Sequence, residues 1–270
     1  GIYLYPNANH NDILNNTVTS NYSGIVLAWG CNDNSILDNR AFSNYMGISF
    51  GYNSRNRIIN NTVFNNRATG ISGGQTSDVR IIGNSVLSNF HGIVFTDFNN
   101  HNITIDKNLI YSNRGTGLDL SYGLQNQSWT GNNTVINNII SSNGKFGIRL
   151  YNSSHNKIYH NDIMSNGFGQ ARIELGFYNY WDDGNEGNYW GDYTGEDADN
   201  DGIGDSPYII HENNQDNYPL MNPWLHPVTD PKIAKVPFRL SIEPDEAGFM
   251  SSVSGGGIGG KSKDYRIILW

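Results

Sequence analysis

The 270-residue chain is 37% hydrophobic and 16% charged, and its 41 asparagines and 31 glycines would suit a disordered polymer were it not for 33 aromatic residues. Its net charge of −8 is uneven, since residues 173–231 hold 13 acidic side chains and no Lys or Arg while residues 1–172 and 232–270 sum to +3 and +2; the lack of a large basic patch excludes nucleic acid as a partner, and the local acidity points to a bound cation. The lone Cys31 excludes an intrachain disulfide, and no segment is apolar for long enough to insert in a membrane.

The chain opens on Gly1-Ile2-Tyr3-Leu4, the middle of a phrase that recurs downstream. It therefore reads as a piece of a longer protein with coils missing upstream, and the absence of a signal peptide carries no weight. The phrase is anchored by Asn16, Asn39, Asn61, Asn84, Asn108, Asn138 and Asn161, each followed five residues later by Asn21, Asn44, Asn66, Asn89, Asn113, Asn143 and Asn166. Between each pair stands a small or β-branched residue, from Val18 and Ala41 to Ile163, and then comes Gly-Ile or Gly-Leu, as at Gly24-Ile25. The repeats are 22 to 24 residues apart, except for one of 30 between Asn108 and Asn138.

Apolar residues alternate within each repeat in bursts of three or four, with no helical period. Short strands in a repeat of this length predict an all-β chain, a parallel β-helix with seven to eight coils over residues 1–175. The longer coil is expected to extrude a loop near residues 123–131. Stacked coils lie about 4.8 Å apart, so equivalent asparagines should form ladders that satisfy backbone groups at the corners, with Ile and Val columns as the dry interior.

After Leu175 the pattern changes to an aromatic, Gly-rich, acidic segment, residues 176–224, which reads as a cap closing the stack. Residues 225–270 contain Pro227, Pro231 and Pro237 ahead of a Gly- and Ser-rich stretch. They read as a linker or tail, with the start of another unit as the alternative.

Within the cap, Asp197, Asp199 and Asp201 alternate before Gly202, as in the first part of a calcium loop, where Ile203 would give a carbonyl and Asp205 would ligate directly or through water. Position 12 is Tyr208 in place of Glu, so Asp192, Glu196 or Asp216 would complete the shell. Copper has weaker support, because thiolate, thioether and imidazole ligands should cluster; His10, His101 and His155 fall at nearly the same corner of separate coils, and His160, His211, Met164 and Met221 show no ligand spacing.

The position after Gly-Ile forms an outward column that runs Tyr3, Val26, Ser49, Ser72, Val94, Asp119, Arg149, Glu174. Asp119 and Glu174 are the candidate catalytic acids, about 9.6 Å apart across two rungs, while Arg149 between them makes an ion-pair ladder the simpler account. Three positions on, Trp29, Tyr52 and Tyr122 belong to a column whose aromatic faces suit sugar rings. Covering a neighbouring loop is the equal alternative.

The coils, followed by GNYWGDYTGEDADNDGIGDSPYII and DNYPLMNPW, resemble the NosD-like right-handed parallel β-helix proteins, common on archaeal surfaces, over roughly residues 1–224. The resemblance implies an exported, right-handed, single-stranded parallel β-helix, a pectin-lyase-like solenoid, at the cell surface or in the periplasm, and copper delivery to nitrous oxide reductase. Seven Asn-x-Ser/Thr sequons agree with export. The reading favoured from the residues is a non-catalytic surface or binding module, with a glycan or another envelope component as partner and calcium fastening the cap. A polysaccharide lyase, hydrolase or epimerase is the first alternative, and copper delivery the second.

Overall fold

The computed structural model describes residues 1–121, 130–175 and 178–225. Tyr122, most of the expected 123–131 loop and residues 226–270 lie outside the described residues. Gly1–Leu225 forms one compact unit, and its described residues contain strands but no α-helix.

Each coil supplies three short strands, and like strands of successive coils pair in parallel. The first sheet has eight: Ile2–Leu4, Ser23–Leu27, Met46–Ser54, Thr69–Ser77, His91–Thr96, Leu118–Ser121, Phe146–Tyr151 and Gly169–Glu174. The second runs from Asp12–Leu14 through seven strands to Lys157–Tyr159, and the third from Thr17–Thr19 through eight to Tyr189–Trp190. This is the parallel β-helix expected from the repeat; crossovers between parallel strands are right-handed almost without exception.

The strands are short because a turning residue follows each one. In the second sheet, strand ends are followed by Asn15, Asp38, Asn60, Lys107, Asn137 and His160, all at φ between 54° and 56°, and by Gly83 at 65°. In the third sheet Ser20, Ser43, Asn65, Ser88, Ser112, Ser142 and Ser165 do the same at φ between 53° and 59°. Left-handed backbone costs least for Gly and for short polar side chains, and a ladder asparagine comes directly after each such residue.

Inside, apolar columns run along the axis. Ile36, Ile58, Ile81 and Ile105 line the second sheet, Val63, Val86, Ile110 and Ile140 the third, and Ile48, Ile71, Ile93 and Leu118 the first; all are fully buried. The column Leu27, Phe50, Gly73, Phe95, Leu120 skips a side chain at Gly73. There the rings of Phe50 and Phe95 meet edge to face at 6.0 Å. A Cβ on Gly73 would stand 2.5 Å from Phe95 and 2.8 Å from Phe50.

At the corners, each amide oxygen serves two donors on the preceding coil. Asn84 receives the backbone N–H of Asn61 at 2.8 Å and its Nδ2 at 3.0 Å, then repeats the pattern on Asn108 at 2.9 Å for both. Its own Nδ2 also reaches the carbonyl of Ile58 at 2.9 Å. One ladder continues from Asn161 to Asn188 and ends on Asp216, whose Oδ2 accepts the Asn188 N–H at 2.7 Å. The other ends on Gln170, whose Oε1 accepts Asn166 Nδ2 at 2.9 Å. A third ladder joins Asn11, Asn34 and Asn56, and resumes at Asn133, Asn156, Asn179 and Asn214. Buried Val79 and Ile103 fill its slots between.

The cap closes the C-terminal end of the core with Trp181 and Trp190, both buried. Tyr208, on the antiparallel pair Tyr208–His211 and Asn214–Asp216, stacks on Trp190 at 4.2 Å. The last described residues return to the third sheet, where the Asp162 carboxylate accepts the N–H groups of Trp224 and Leu225 at 2.7 and 3.0 Å.

Candidate functional site

Outward residues of the first sheet alternate with the buried ones, so the period of two that fills the core also sets what the surface presents. After Tyr3 on the first strand, the second to fifth strands carry small residues: Val26, Ser49, Ser72 and Val94 in one column, with Gly51, Gly74 and Thr96 in the next. The small side chains leave a groove of about 690 Å³, within the range of ligand sites.

Trp29 and Tyr52 stand along one side, with ring centroids 5.2 Å apart and exposures of 68% and 49%. Tyr52 is at φ 54°, a turn position, and its hydroxyl accepts Gln75 Nε2 at 2.8 Å. The structure thus brings together two of the three sequence-predicted aromatic residues. It also adds a second aromatic pair on the opposite side of the sheet: Tyr22 and Tyr45 stack at 4.9 Å, and Tyr45 and Met46 line the groove. These were legible as a tyrosine recurring ahead of the Gly-Ile phrase.

Beyond Val94 the same column continues with Asp119, Arg149 and then Arg172. The expectation that Glu174 closes this column is corrected: Glu174 is paired with Tyr151, two residues further on. In the last coil Gln170 takes the place of the repeat glycine, so Ala171 packs opposite Ile148 and Ile173 opposite Leu150. Because the slip is by two residues, Glu174 still faces outward. Arg149 Nη1 lies 3.4 Å from Asp119 Oδ2, and its Nε lies 3.4 Å from Glu174 Oε1. Arg172 also approaches Glu174, at 3.6 Å. The two acids are therefore joined through guanidinium groups, as the ion-pair reading expects.

Asp119 is the less ordinary of the two acids. Its burial raises the carboxyl pKa, opposed by the Ser121 hydroxyl that hydrogen-bonds to it and by Arg149. His91, in the preceding coil, accepts the Thr116 N–H at Nδ1, and burial lowers its pKa. The strip therefore holds a shielded acid and a shielded imidazole beside the groove floor.

In the cap, carboxylate oxygens of Asp197, Asp199 and Asp201 all lie within 4.8 Å of one another. Asp197 shapes the turn by accepting the N–H groups of Asp201 and Gly202 at 3.1 and 3.0 Å, while Asp201 accepts that of Ile203 at 2.8 Å. Ile203 bridges to Leu220 in the cap. Asp205 stands outside the triad and accepts the Ala198 N–H at 2.8 Å. Of the residues named to complete a shell, Asp216 is ruled out: it is buried, receiving Asn188, Trp190 Nε1 and Tyr218. Asp192 accepts the Tyr208 hydroxyl at 3.0 Å.

The soft ligands remain dispersed. Cys31 is buried, with Sγ 3.0 Å from the Tyr5 carbonyl. His160 stacks on Trp224 at 3.8 Å, with Nε2 3.2 Å from Glu186 Oε2. Among the described residues, the aspartate triad is the one group of three acidic, His or Cys ligand atoms lying within that mutual distance.

A stacked-coil protein with a shallow aromatic groove on one sheet belongs to the parallel β-helix class. Residues 1–130 and 121–195 match the family described as periplasmic copper-binding protein (NosD), and the chain belongs to that family. Among solved structures, two mutant forms of the periplasmic alginate epimerase AlgG superimpose with TM-score 0.56 at 16% identity, over 64% of this chain and 45% of theirs. The Dettilon tailspike protein gives TM-score 0.46 at 17% identity, over 63% and 42%. The chain thus spans less than half the epimerase's length, and likeness at this identity shows the shared fold. None of the curated proteins matches the chain.

Proposed function

We propose that this chain is an exported β-helix module that holds a glycan in the first-sheet groove without acting on it, and that calcium at the Asp197 loop fastens its cap. The groove carries the reading: a floor of Ser, Gly and Val lies beside two exposed aromatic pairs, and flat apolar faces with polar edges suit sugar rings. Membership of a family described as periplasmic supports placement outside the cytoplasm, in the periplasm or at the cell surface. Calorimetry of the chain against neutral, amino and acidic oligosaccharides tests it. Binding abolished by Trp29→Ala, with an unchanged melting temperature, is the expected result; binding insensitive to that variant would remove the groove.

The calcium reading rests on three carboxylates converging in a turn already shaped by backbone N–H groups, with affinity at the weak extracellular end, about 10⁻⁴ to 10⁻³ M. Millimolar calcium should raise the melting temperature of the full chain, and Asp199→Asn should abolish the rise. An unchanged melting temperature together with no heat of binding would refute it.

Catalysis on an acidic polysaccharide, by lysis, hydrolysis or epimerisation, is the second reading. It draws support from Asp119, a shielded acid in line with the groove floor, and a screen for new reducing ends, ultraviolet-absorbing products or altered sugar stereochemistry separates it from binding alone. Copper delivery, in line with the family description, is tested by metal analysis of the purified chain.

A further inference from the structure

The groove's charge selects among glycans. Among the described residues that line it, Asp97 is the one charged side chain. Its carboxylate makes no hydrogen bond or ion pair with any described residue, so it stands free at the groove's end, near Gly74. No Lys or Arg occurs on the first-sheet strands from Ile2–Leu4 to His91–Thr96. The first guanidinium along the outward column is that of Arg149, which lies beyond Asp119 and is already engaged by Asp119 and Glu174.

A uronate chain seated here would bring its carboxylates against Asp97, the one charged side chain among the described residues that line the groove. Like charges in a partly desolvated groove repel. A chain carrying ammonium groups would meet the opposite field. Its cations would face the free Asp97 carboxylate and the exposed rings of Trp29, Tyr52 and Tyr45, whose faces attract cations.

Building on the glycan-groove reading above, we infer that the preferred ligand is an amino-sugar glycan, with Asp97 as the residue that sets the preference. Neutral glycans share the stacking but lack the charge contact, and uronates are rejected.

The test is calorimetry on the full chain at mildly acidic pH, using β-1,4-linked oligomers of glucosamine and of glucose and α-1,4-linked galacturonate oligomers at matched length. Glucosamine oligomers should bind about tenfold more tightly than glucose oligomers at low salt, with the margin shrinking as salt screens it. Galacturonate should give no binding. Asp97→Asn should bring glucosamine affinity down to that of glucose and make it insensitive to salt. If glucose and glucosamine bind equally and Asp97→Asn is silent, or if galacturonate binds best, the charge inference is overturned while the groove stands. If no oligomer binds, or Trp29→Ala has no effect on those that do, the groove reading falls and this inference with it.

Discussion

The amide of Asn84 makes hydrogen bonds to two neighbouring coils, and its partners on those coils are buried. Replacing it by leucine takes the acceptor from the Asn61 N–H and the amide donor from the Ile58 carbonyl, at about 1 to 3 kcal/mol for each group stranded, while Asn61 Nδ2 keeps the Ile36 and Ile59 carbonyls. Ser85 next to it bears no ladder. Asn84→Leu should therefore lower the urea midpoint clearly while Ser85→Ala leaves it nearly unchanged; equal midpoints would count against the ladder as a source of stability. Val79 and Ile103 show the other side of the same rule, since an apolar residue is tolerated in the column when its rung neighbour is apolar too. Gly73 tests packing instead of polarity. The missing side chain lets Phe50 and Phe95 touch, so Gly73→Ala should destabilise by about 1 to 3 kcal/mol through overpacking, read as a lower melting temperature.

At the level of a strand, the repeat made most of the fold legible, because a period of two with a fixed Asn-to-Asn spacing determines which residues share a column. It failed where the phrase itself was rewritten. Gln170 stands in place of glycine in the last coil, and counting from Ile173 set Glu174 two residues out of register. The third ladder was hidden because Val79 and Ile103 interrupt it in the middle. The second aromatic wall, Tyr22 and Tyr45, lies before the repeat glycine, while the outward columns were counted forward from it. The charged strip gives a test at this scale. Arg149 faces Asp119, whose burial already favours its neutral form. Arg149→Met removes the charge that compensates the buried carboxylate, for which about 3 to 5 kcal/mol is typical of a broken buried pair; partial exposure of Arg149 places the expected loss below that range. The loss should shrink on acidification, as Asp119 takes up a proton. Denaturant midpoints at neutral and acid pH would reveal this, and a pH-independent loss would contradict it.

For the whole molecule, the solenoid's stability depends on how its C-terminal end is closed, and two buried carboxyl groups lie there. Asp216 ends an asparagine ladder and Asp162 holds the returning backbone at Trp224 and Leu225. Burial raises each from an ordinary value of 3.8 to about 6, against the opposing effect of the N–H groups they accept. The folded chain therefore binds protons in a range where the unfolded chain has released them. The contribution from these two groups is fully present below pH 3.8 and is lost as pH rises through about 6. Asp33, Asp78 and Asp183 are shifted down, so their effect has the opposite sign and falls below pH 3.8, outside this window; inside it, Asp119, raised by burial, adds to the decline, and His91, lowered by burial, opposes it. With a chelator present to remove the calcium loop from the comparison, unfolding free energy should decline between pH 4.5 and 7. Asp216→Asn extends the ladder with the residue type used on every earlier rung: its carboxamide oxygen can still accept from Asn188 and Trp190, while its Nδ2 faces the Tyr218 N–H and it cannot ionise. The variant should show a shallower decline with pH than the parent chain, whatever the offset from the lost Tyr218 contact. If the two slopes coincide, Asp216 does not titrate in this window, and the closing rung owes its stability to shape and hydrogen bonding alone.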